Sequence, residues 1–287
     1  MQDGRNLQRI TKDYEIVGEI VVRDMTIGQF YNVDSVIHRL DPRVKIMITI
    51  VYIVTLFLPR NPILYGAALL ALISYIAVSK VPAKFILKGL KALWMMILFT
   101  VLLNFFTVSG ANVLFQWKFI KITDSGLIAG TYLGLRLVFM IIGSSMMTYT
   151  TTPNALTDGL EKMLGWMKKL HVPVHEFAMI MSIAMRFIPI LVEELDKIMK
   201  AQTARGVDFE EGNLWVRLKK LMPILIPLFI SAIRRSEELA LAMDARCYHG
   251  GEGRTKMKPL HYEKRDGMAY LFLILYIGIM IFLAIHF

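Results

Sequence analysis

Two arginines occupy matched positions in the charged half of this sequence, and their surroundings indicate binding chemistry. One helical pattern closes on Ala204-Arg205-Gly206, and a second closes on Ala245-Arg246-Cys247 about 40 residues later. A guanidinium group is always charged and presents five hydrogen-bond donors in a rigid fork. At an exposed helix tip, such a group suits an acidic groove on a soluble partner.

Helix capping is the simpler explanation for a single arginine of this kind. Cations in the last turn favour the helix dipole by about 0.3–1 kcal/mol, and glycine commonly follows a helix end. The repetition favours binding, because an alanine precedes both arginines and an Ile-Pro step stands upstream in each pattern, at Ile188-Pro189 and Ile226-Pro227. Two copies of one arrangement predict two similar partners, and capping remains the alternative.

Other candidates for chemistry are weak. His171 and His175 lie four residues apart beside Glu176, but Val172-Pro173-Val174 separates them and the zinc-protease pattern His-Glu-x-x-His is absent. The glycine-rich segment 250–256 lacks the spacing of a phosphate-binding loop. The single cysteine excludes an intramolecular disulfide and a cysteine-cluster metal site. We therefore predict no catalytic residue, no metal ligand and no directly bound cofactor.

Two features of the apolar segments, a central arginine and the many methionines, have open interpretations. Arg136 lies near the middle of an apolar run, where a charge is costly and usually faces protein or water; structural pairing is favoured over a direct role in transport. The chain also contains 19 methionines. Methionines on a helix face serve either as core packing or as an adaptable surface for several partners. The candidates for such a surface are Met179, Met181, Met185, Pro189, Met222 and Pro227.

Composition identifies a membrane protein. Hydrophobic residues make up 55% of the chain and the mean hydropathy is +0.51, above the usual apolar share of roughly 45–50%. Uncharged runs over 92–117, 137–157 and 267–287 each reach the roughly 20 residues that cross hydrocarbon. The net charge of +10 fits cytoplasmic loops rich in lysine and arginine better than nucleic-acid binding. A lipid bilayer is therefore the expected partner, and no nucleic acid is expected.

The charge pattern predicts an all-α polytopic membrane protein with about five transmembrane helices and long cytoplasmic amphipathic helices. We expect a polar N-terminal extension over 1–33, a transmembrane bundle of about four spans over 34–152, a cytoplasmic helical region over 153–266 and a final span over 267–287. Asp41-Pro42 reads as a helix cap followed by proline at the first turn. The aromatic segment 112–123 reads as an interfacial hairpin on the outer side.

Orientation follows from the lysines. Residues 80–91 carry Lys80, Lys84, Lys88 and Lys91 without an acid, which is typical of a cytoplasmic loop. Five crossings then place the N-terminus and the region 153–266 in the cytoplasm and the C-terminus outside. Met25 resembles a start residue, so residues 1–24 are interpreted as an extension.

These motifs together resemble the EcfT family, the transmembrane T component of energy-coupling factor (ECF) transporters. The resemblance covers the chain from Met25 onward and departs at Cys247, where the family usually has glycine, which questions whether the second helix end turns as tightly as the first. The motifs that carry it are His38-Arg39-Leu40-Asp41-Pro42-Arg43, Leu135-Arg136-Leu137, Thr150-Thr151-Thr152-Pro153, Pro173-Val174-His175-Glu176, Arg186-Phe187-Ile188-Pro189, Ala201-Gln202-Thr203-Ala204-Arg205-Gly206 and Ala242-Met243-Asp244-Ala245-Arg246.

The resemblance implies a non-catalytic coupling subunit of a vitamin or micronutrient importer. Two ABC-type ATPase subunits, which use the ATP, would each receive one Ala-Arg helix end, and the apolar helix faces would carry a separate membrane substrate-binding S component. A module shared among several vitamin S components is favoured over one dedicated to cobalt, nickel or biotin. A stand-alone carrier or channel, and an intramembrane hydrolase, are the alternatives from other classes.

Overall fold

The computed structural model describes residues 30–58, 61–107, 113–117, 120–170, 172–207, 209, 213–250, 257 and 259–286. Most of the predicted N-terminal extension and His171 therefore lie outside the described residues. Within them, the chain forms eight α-helices, one 3₁₀ helix over Leu164–Leu170 and one pair of strands. The α-helices are α1 Pro42–Thr55, α2 Pro62–Ser79, α3 Ala83–Thr107, α4 Asp124–Thr150, α5 Pro153–Met163, α6 Val174–Ala204, α7 Leu214–Asp244 and α8 Lys264–His286.

The described residues form two compact units. Those of Gly28–Met163 together with Leu260–Phe287 make up the first, which contains α1 to α5 and α8, and those of Leu164–Pro259 make up the second, which contains α6 and α7. We call them the bundle unit and the two-helix unit. The chain thus leaves the bundle unit after α5 and returns to it before α8.

Three helices are long and apolar enough to cross a membrane: α2 with 18 residues, α4 with 27 and α8 with 23. Helix α3 adds a fourth if its two parts, Ala83–Lys91 and Leu93–Phe105, form one bent span. The remaining predicted span corresponds to α1, whose 14 residues extend only about 21 Å. Hydrocarbon is about 30 Å thick, so the described residues supply three or four full spans where the sequence predicts about five.

Two helices of the bundle unit begin with the same local chemistry. Asp41 caps α1 by accepting a hydrogen bond from the Arg43 amide, and Asn61 caps α2 by accepting one from the Ile63 amide. A proline occupies the first helical position in both cases, where its missing N–H costs nothing and its fixed φ favours the helix. The cap predicted at Asp41-Pro42 is confirmed.

Two clusters of buried side chains hold the bundle unit together. The larger joins α1, α2 and α4 through Tyr52, Leu56, Tyr65, Ala68, Leu72 and Phe139, and the smaller joins the start of α3 to the end of α4 through Val81, Ile86, Met146 and Tyr149. Helix α3 also packs closely on α4 at Gly130, where an added Cβ would lie 2.4 Å from the Phe105 ring. Small residues allow such close approach between membrane helices.

The connection between α3 and α4 contains a β-hairpin. Strand β1, Val113–Trp117, pairs antiparallel with β2, Ile120–Thr123, and the register shifts between Val113 and Phe115. The hairpin predicted for this segment is confirmed as a strand pair, and its placement on the outer side of the membrane stays a prediction. Thr123 ends β2 and caps α4 by accepting a hydrogen bond from the Gly126 amide.

Candidate functional site

The first Ala-Arg-Gly motif forms the C-terminal end of α6. Arg205 is the C-cap residue, and Gly206 follows in the left-handed region with φ of +87°. The Gly206 amide donates to the Thr203 carbonyl at 2.9 Å, and the Val207 amide donates to the Gln202 carbonyl at 3.1 Å. This pair of bonds is a Schellman motif, in which the helix end satisfies its own last carbonyls.

The second motif repeats this geometry 41 residues later at the end of α7. The Cys247 amide donates to the Asp244 carbonyl at 2.9 Å, and the Tyr248 amide donates to the Met243 carbonyl at 3.1 Å. Cys247 takes the left-handed position with φ of +54°. The replacement of glycine by cysteine therefore leaves the tight turn in place, although a side chain in this region costs about 1 kcal/mol.

Both arginine side chains are available to a partner. Arg205 and Arg246 are exposed, as are the neighbouring Ala204 and Ala245. Within the described residues, neither arginine makes a side-chain hydrogen bond or an ion pair. The backbone bonds of the two turns close each helix end without a hydrogen bond from either guanidinium group.

Helices α6 and α7 run in opposite directions where they touch. Glu194 pairs with Arg235 at 3.4 Å, and the Gln202 side chain donates to the Pro223 carbonyl at 3.4 Å. The later residue of α6 thus contacts the earlier residue of α7, and the two helices are antiparallel. Arg205 lies three residues beyond Gln202, whereas Arg246 lies 23 residues beyond Pro223, or about 35 Å along a helix. The two arginine tips therefore lie at opposite ends of the helix pair.

Helix α7 presents a continuous apolar stripe to the outside of the two-helix unit. Its members recur every three or four residues, which places them on one helix face, and include Phe229 at 68% exposure and Met222 at 55%. The full stripe consists of Trp215, Leu218, Met222, Leu225, Ile226, Phe229, Ile230 and Ile233. A soluble helix would bury such a face, so the stripe indicates a site covered by protein or lipid.

The predicted partner-facing residues divide between exposed and half-buried positions. Pro189, Met222 and Pro227 are exposed, while Met179, Met181 and Met185 of α6 are half-buried. The most exposed large apolar residues of α6, Phe177 and Ile180, are absent from the predicted set. Aliphatic and aromatic residues at helical spacing form most of the α7 stripe, and the predicted set of methionines and prolines contains only Met222 of it.

Comparison with known proteins places these motifs in a family. A family model described as CbiQ, cobalt transport protein, matches residues 34–257. Relatives described as energy-coupling factor transporter transmembrane protein EcfT align over nearly their whole length. The one from Acidaminococcus fermentans is 49% identical over 92% of this chain and 98% of its own. The one from Clostridium kluyveri is 53% identical over 88% and 93%, and the one from Bacillus subtilis 44% over 90% and 98%.

The chain belongs to the EcfT family. It is accordingly the transmembrane component of an energy-coupling factor transporter, as the resemblance implied. The names of these relatives state energy coupling and no cargo, whereas the family model states cobalt transport.

In this EcfT-family protein, Arg136 lies at the middle of α4 and beside the end of α1. Its guanidinium carbon stands 5.1 Å from the centre of the Phe57 ring, and Phe57 follows α1 by two residues. The Nε atom is buried without a hydrogen-bond partner among the described residues. The guanidinium group therefore stands over an exposed aromatic ring of the bundle unit, and a role for it in transport stays untested.

A buried ionic cluster joins α1 to α8 and is absent from the predicted site residues. Asp266 is 2% exposed, and its carboxylate accepts the Asp41 amide and the Glu263 amide, both at 2.8 Å. Asp41 in turn accepts two hydrogen bonds from the Arg43 side chain, at 3.0 and 2.7 Å. Burial raises the pKa of Asp41, but these bonds and the Arg43 amide together bring it below its ordinary value.

Lys45 connects the same region to α4. Its ammonium group donates to the Thr150 carbonyl at 2.8 Å and to the His38 carbonyl at 3.1 Å. Burial lowers the pKa of Lys45 to about 8. Sequence analysis did not single out Lys45, because the Thr150 carbonyl that it contacts lies 105 residues away and no local pattern reveals it.

Proposed function

We propose that this EcfT-family protein is a non-catalytic coupling subunit that binds two ABC-type ATPase subunits and a separate S component. Each ATPase receives one helix end, the first through Ala204, Arg205 and Gly206 and the second through Ala245, Arg246 and Cys247. The ATPases use the ATP, and this chain binds no cofactor itself. The cargo is a vitamin or another micronutrient bound by the S component.

The observation that carries this proposal is the identical turn at both helix ends. Two exposed arginines on the same Schellman geometry suit two grooves of the same shape, as two related ATPase subunits would offer. Their placement at opposite ends of the helix pair allows both grooves to be occupied at once. A guanidinium group in an acidic groove forms charge-assisted bonds that fix register as well as affinity.

The apolar stripe of α7 supports the second half of the proposal. It extends from Trp215 to Ile233 and remains uncovered within its own unit. An S component embedded in the bilayer would present an apolar surface of matching length, and the prolines at 189, 223 and 227 give the helices local bends to follow it. ATP-driven movement of the two helix ends would then change the tilt of the S component.

Membrane orientation belongs to the same proposal. The N-terminus and the coupling helices α6 and α7 lie in the cytoplasm, and the C-terminus lies outside. The lysines at 80, 84, 88 and 91 are all exposed, as the positive-inside rule requires of a cytoplasmic segment.

Charge reversal at the two tips tests the coupling role. Arg205→Glu, Arg246→Glu and the double variant should each weaken ATPase binding by roughly 2–5 kcal/mol, because a buried charge pair is replaced by repulsion. Arg186→Glu on α6 and Arg234→Glu on α7 are matched controls, since both arginines are exposed away from the tips. Co-purification with the ATPase subunits and ATP-driven uptake are the measurements. Equal ATPase retention by tip variants and controls would reduce the motifs to helix caps.

A dedicated cobalt, nickel or biotin module is the second candidate, and the description of the matching family model favours keeping it. Purification of the complex from cells that express several S components separates the two. If the module is shared, several S components should co-purify with this chain and compete for it. If the module is dedicated, only one should co-purify. Transport by the chain alone in liposomes would instead support a stand-alone carrier or channel.

A further inference from the structure

The first part of α3 carries a ridge of lysines that the coupling role does not use. Lys84, Lys88 and Lys91 are all exposed, and at 3.6 residues per turn they fall within an arc of about 60°. None of them forms a hydrogen bond or an ion pair within the described residues. We call these three residues the lysine ridge.

The ridge is held facing outward by the opposite side of the helix. Ile86 lies about 170° from the ridge centre and is buried against Met146 and Tyr149 of α4. The Tyr149 hydroxyl donates to the Phe85 carbonyl at 3.3 Å, which fixes the same turn. Rotation that would hide the lysines is therefore blocked by packing at the end of α4.

Charge complementarity indicates an anionic partner. The segment from Lys80 to Thr123 contains six lysines and no aspartate or glutamate. Three like charges on successive turns repel one another when no acid is near. A set of phosphate groups would relieve this repulsion.

The neighbouring side chains distinguish a lipid from an acidic protein. Phe85 on one side of the ridge is 45% exposed, and Leu87 on the other is 62% exposed. The helix then continues into the apolar part Leu93–Phe105, where Trp94 and Met95 are also exposed. Exposed lysines with flanking apolar residues beside a span match the boundary between headgroups and acyl chains, where lysines extend towards phosphate.

We propose that the lysine ridge binds anionic phospholipid headgroups at the cytoplasmic surface of the membrane, a location that rests on the orientation proposed above. Phe85 and Leu87 enter the acyl boundary on either side, and Trp94 lies at the level of the interface. The site does not depend on the ATPase or S-component contacts. It anchors the junction between α3 and α4, which the smaller buried cluster forms.

Fluorescence of Trp94 measures this binding directly. The chain has four tryptophans, so substitution of Trp117, Trp166 and Trp215 by phenylalanine leaves Trp94 as the reporter in the full-length protein. Liposomes of phosphatidylcholine receive an equal minor fraction of brominated phosphatidylglycerol or brominated phosphatidylcholine, and the bromine quenches nearby tryptophan. The ratio of the two apparent association constants is the preference for anionic lipid.

We expect a preference of at least fivefold, since each lysine near an anionic surface contributes about a factor of five. K84Q/K88Q/K91Q should bring the ratio close to one, while K84R/K88R/K91R should retain it. K169Q/K197Q/K200Q removes the same charge from exposed positions in the two-helix unit and should leave the ratio unchanged. Raising salt from about 0.1 M to about 1 M should abolish the preference of the unsubstituted ridge.

Two results would overturn the proposal. One is an equal response of the unsubstituted ridge to both brominated lipids. The other is an anionic preference that persists in K84Q/K88Q/K91Q; if that variant also loses an ATPase or S-component subunit on co-purification, the ridge is assigned to a protein partner instead. The salt comparison needs no ridge substitution, so it tests the charge dependence of the binding even if the glutamine variant fails to fold.

Discussion

The residue that follows a helix C-cap sets the backbone strain of the whole turn, and the ends of α6 and α7 differ at this one position. Gly206 adopts a positive φ without cost, while Cys247 adopts it with a side chain. The hydrogen bonds around the two residues have the same pattern and nearly the same lengths. The difference is therefore energetic and leaves the geometry of the tip intact.

Cys247→Gly should stabilise the second helix end by about 1 kcal/mol, because the left-handed strain disappears. Hydrogen–deuterium exchange of the Arg246, Cys247 and Tyr248 amides should slow by about fivefold. Gly206→Ala is the reciprocal control: a Cβ there meets nothing within 4 Å, so its destabilising effect would come from φ alone. Unchanged exchange in both variants would contradict the strain argument.

Helix joints in the bundle unit depend on residues far apart in sequence. Asp266 stands 225 residues from Asp41, yet its carboxylate holds the start of α1 to the start of α8. One buried amide, that of Asp41, and one part-buried amide, that of Glu263, rely on this one side chain, and an unsatisfied buried donor costs about 1–3 kcal/mol. The joint is thus more sensitive to substitution than the exposed charges around it.

Asp266→Ala should lower the free energy of unfolding by roughly 2–5 kcal/mol, because it leaves the Asp41 and Glu263 amides without their hydrogen-bond acceptor. The melting temperature in detergent should fall by several degrees. Glu263→Gln nearby removes only a surface ion pair with Arg265 and should change stability by less than about 1 kcal/mol. Similar melting temperatures for Asp266→Ala and Glu263→Gln would refute a structural role for the cluster.

The antiparallel contact of α6 and α7 predicts a long distance between the tips. Ala204→Cys adds a second thiol to the chain, whose single native thiol is at Cys247. Both positions are exposed. Spin labels at the two sites should lie about 40 Å apart, because Cys247 lies 24 residues beyond Pro223 and Ala204 two residues beyond Gln202, which makes about 26 residues of helix at 1.5 Å each. A pulsed electron–electron distance below about 20 Å would show the tips side by side and rule out this pairing.

At the scale of the whole molecule, the single cysteine reports orientation. A membrane-impermeant maleimide should label Cys247 in inside-out vesicles and leave it unlabelled in intact cells, if the coupling helices are cytoplasmic. Phe287→Cys in a Cys247→Ser background should show the reverse pattern, if the C-terminus is outside. Labelling of both positions from the same side would show that α8 does not cross the membrane, so that the number of crossings is even and the predicted orientation is wrong.

Local chemistry accounts for what the sequence predicts well. Asp41-Pro42 is a cap in the structure, the Ala-Arg tips end α6 and α7, and the predicted spans at α2, α4 and α8 are helices. Each of these depends on neighbours within one or two turns. The predicted EcfT-family membership is confirmed by the relatives.

Non-local contacts account for what the sequence could not predict. Asp266 lies beside an apolar span and reads as an ordinary flank until α8 is placed against α1. The shortness of α1 follows from where Thr55 ends the helix, which the apolar run through Pro59 conceals. The exposed face of α7 depends on how α6 covers the other side, and a single helix pattern does not contain that information.

The contact between α6 and α7 lies at unequal distances from the two arginine tips. The two inter-helix contacts centre near residue 198 of α6 and residue 229 of α7. From that pivot the arm to Arg205 is about 10 Å long, while the arm to Arg246 is about 25 Å. For one scissor rotation, the Arg246 tip travels more than twice as far as the Arg205 tip. If the two proposed ATPase subunits moved the tips by equal distances, α6 would turn through a larger angle than α7. The exposed stripe on α7 would then change its orientation relative to α6.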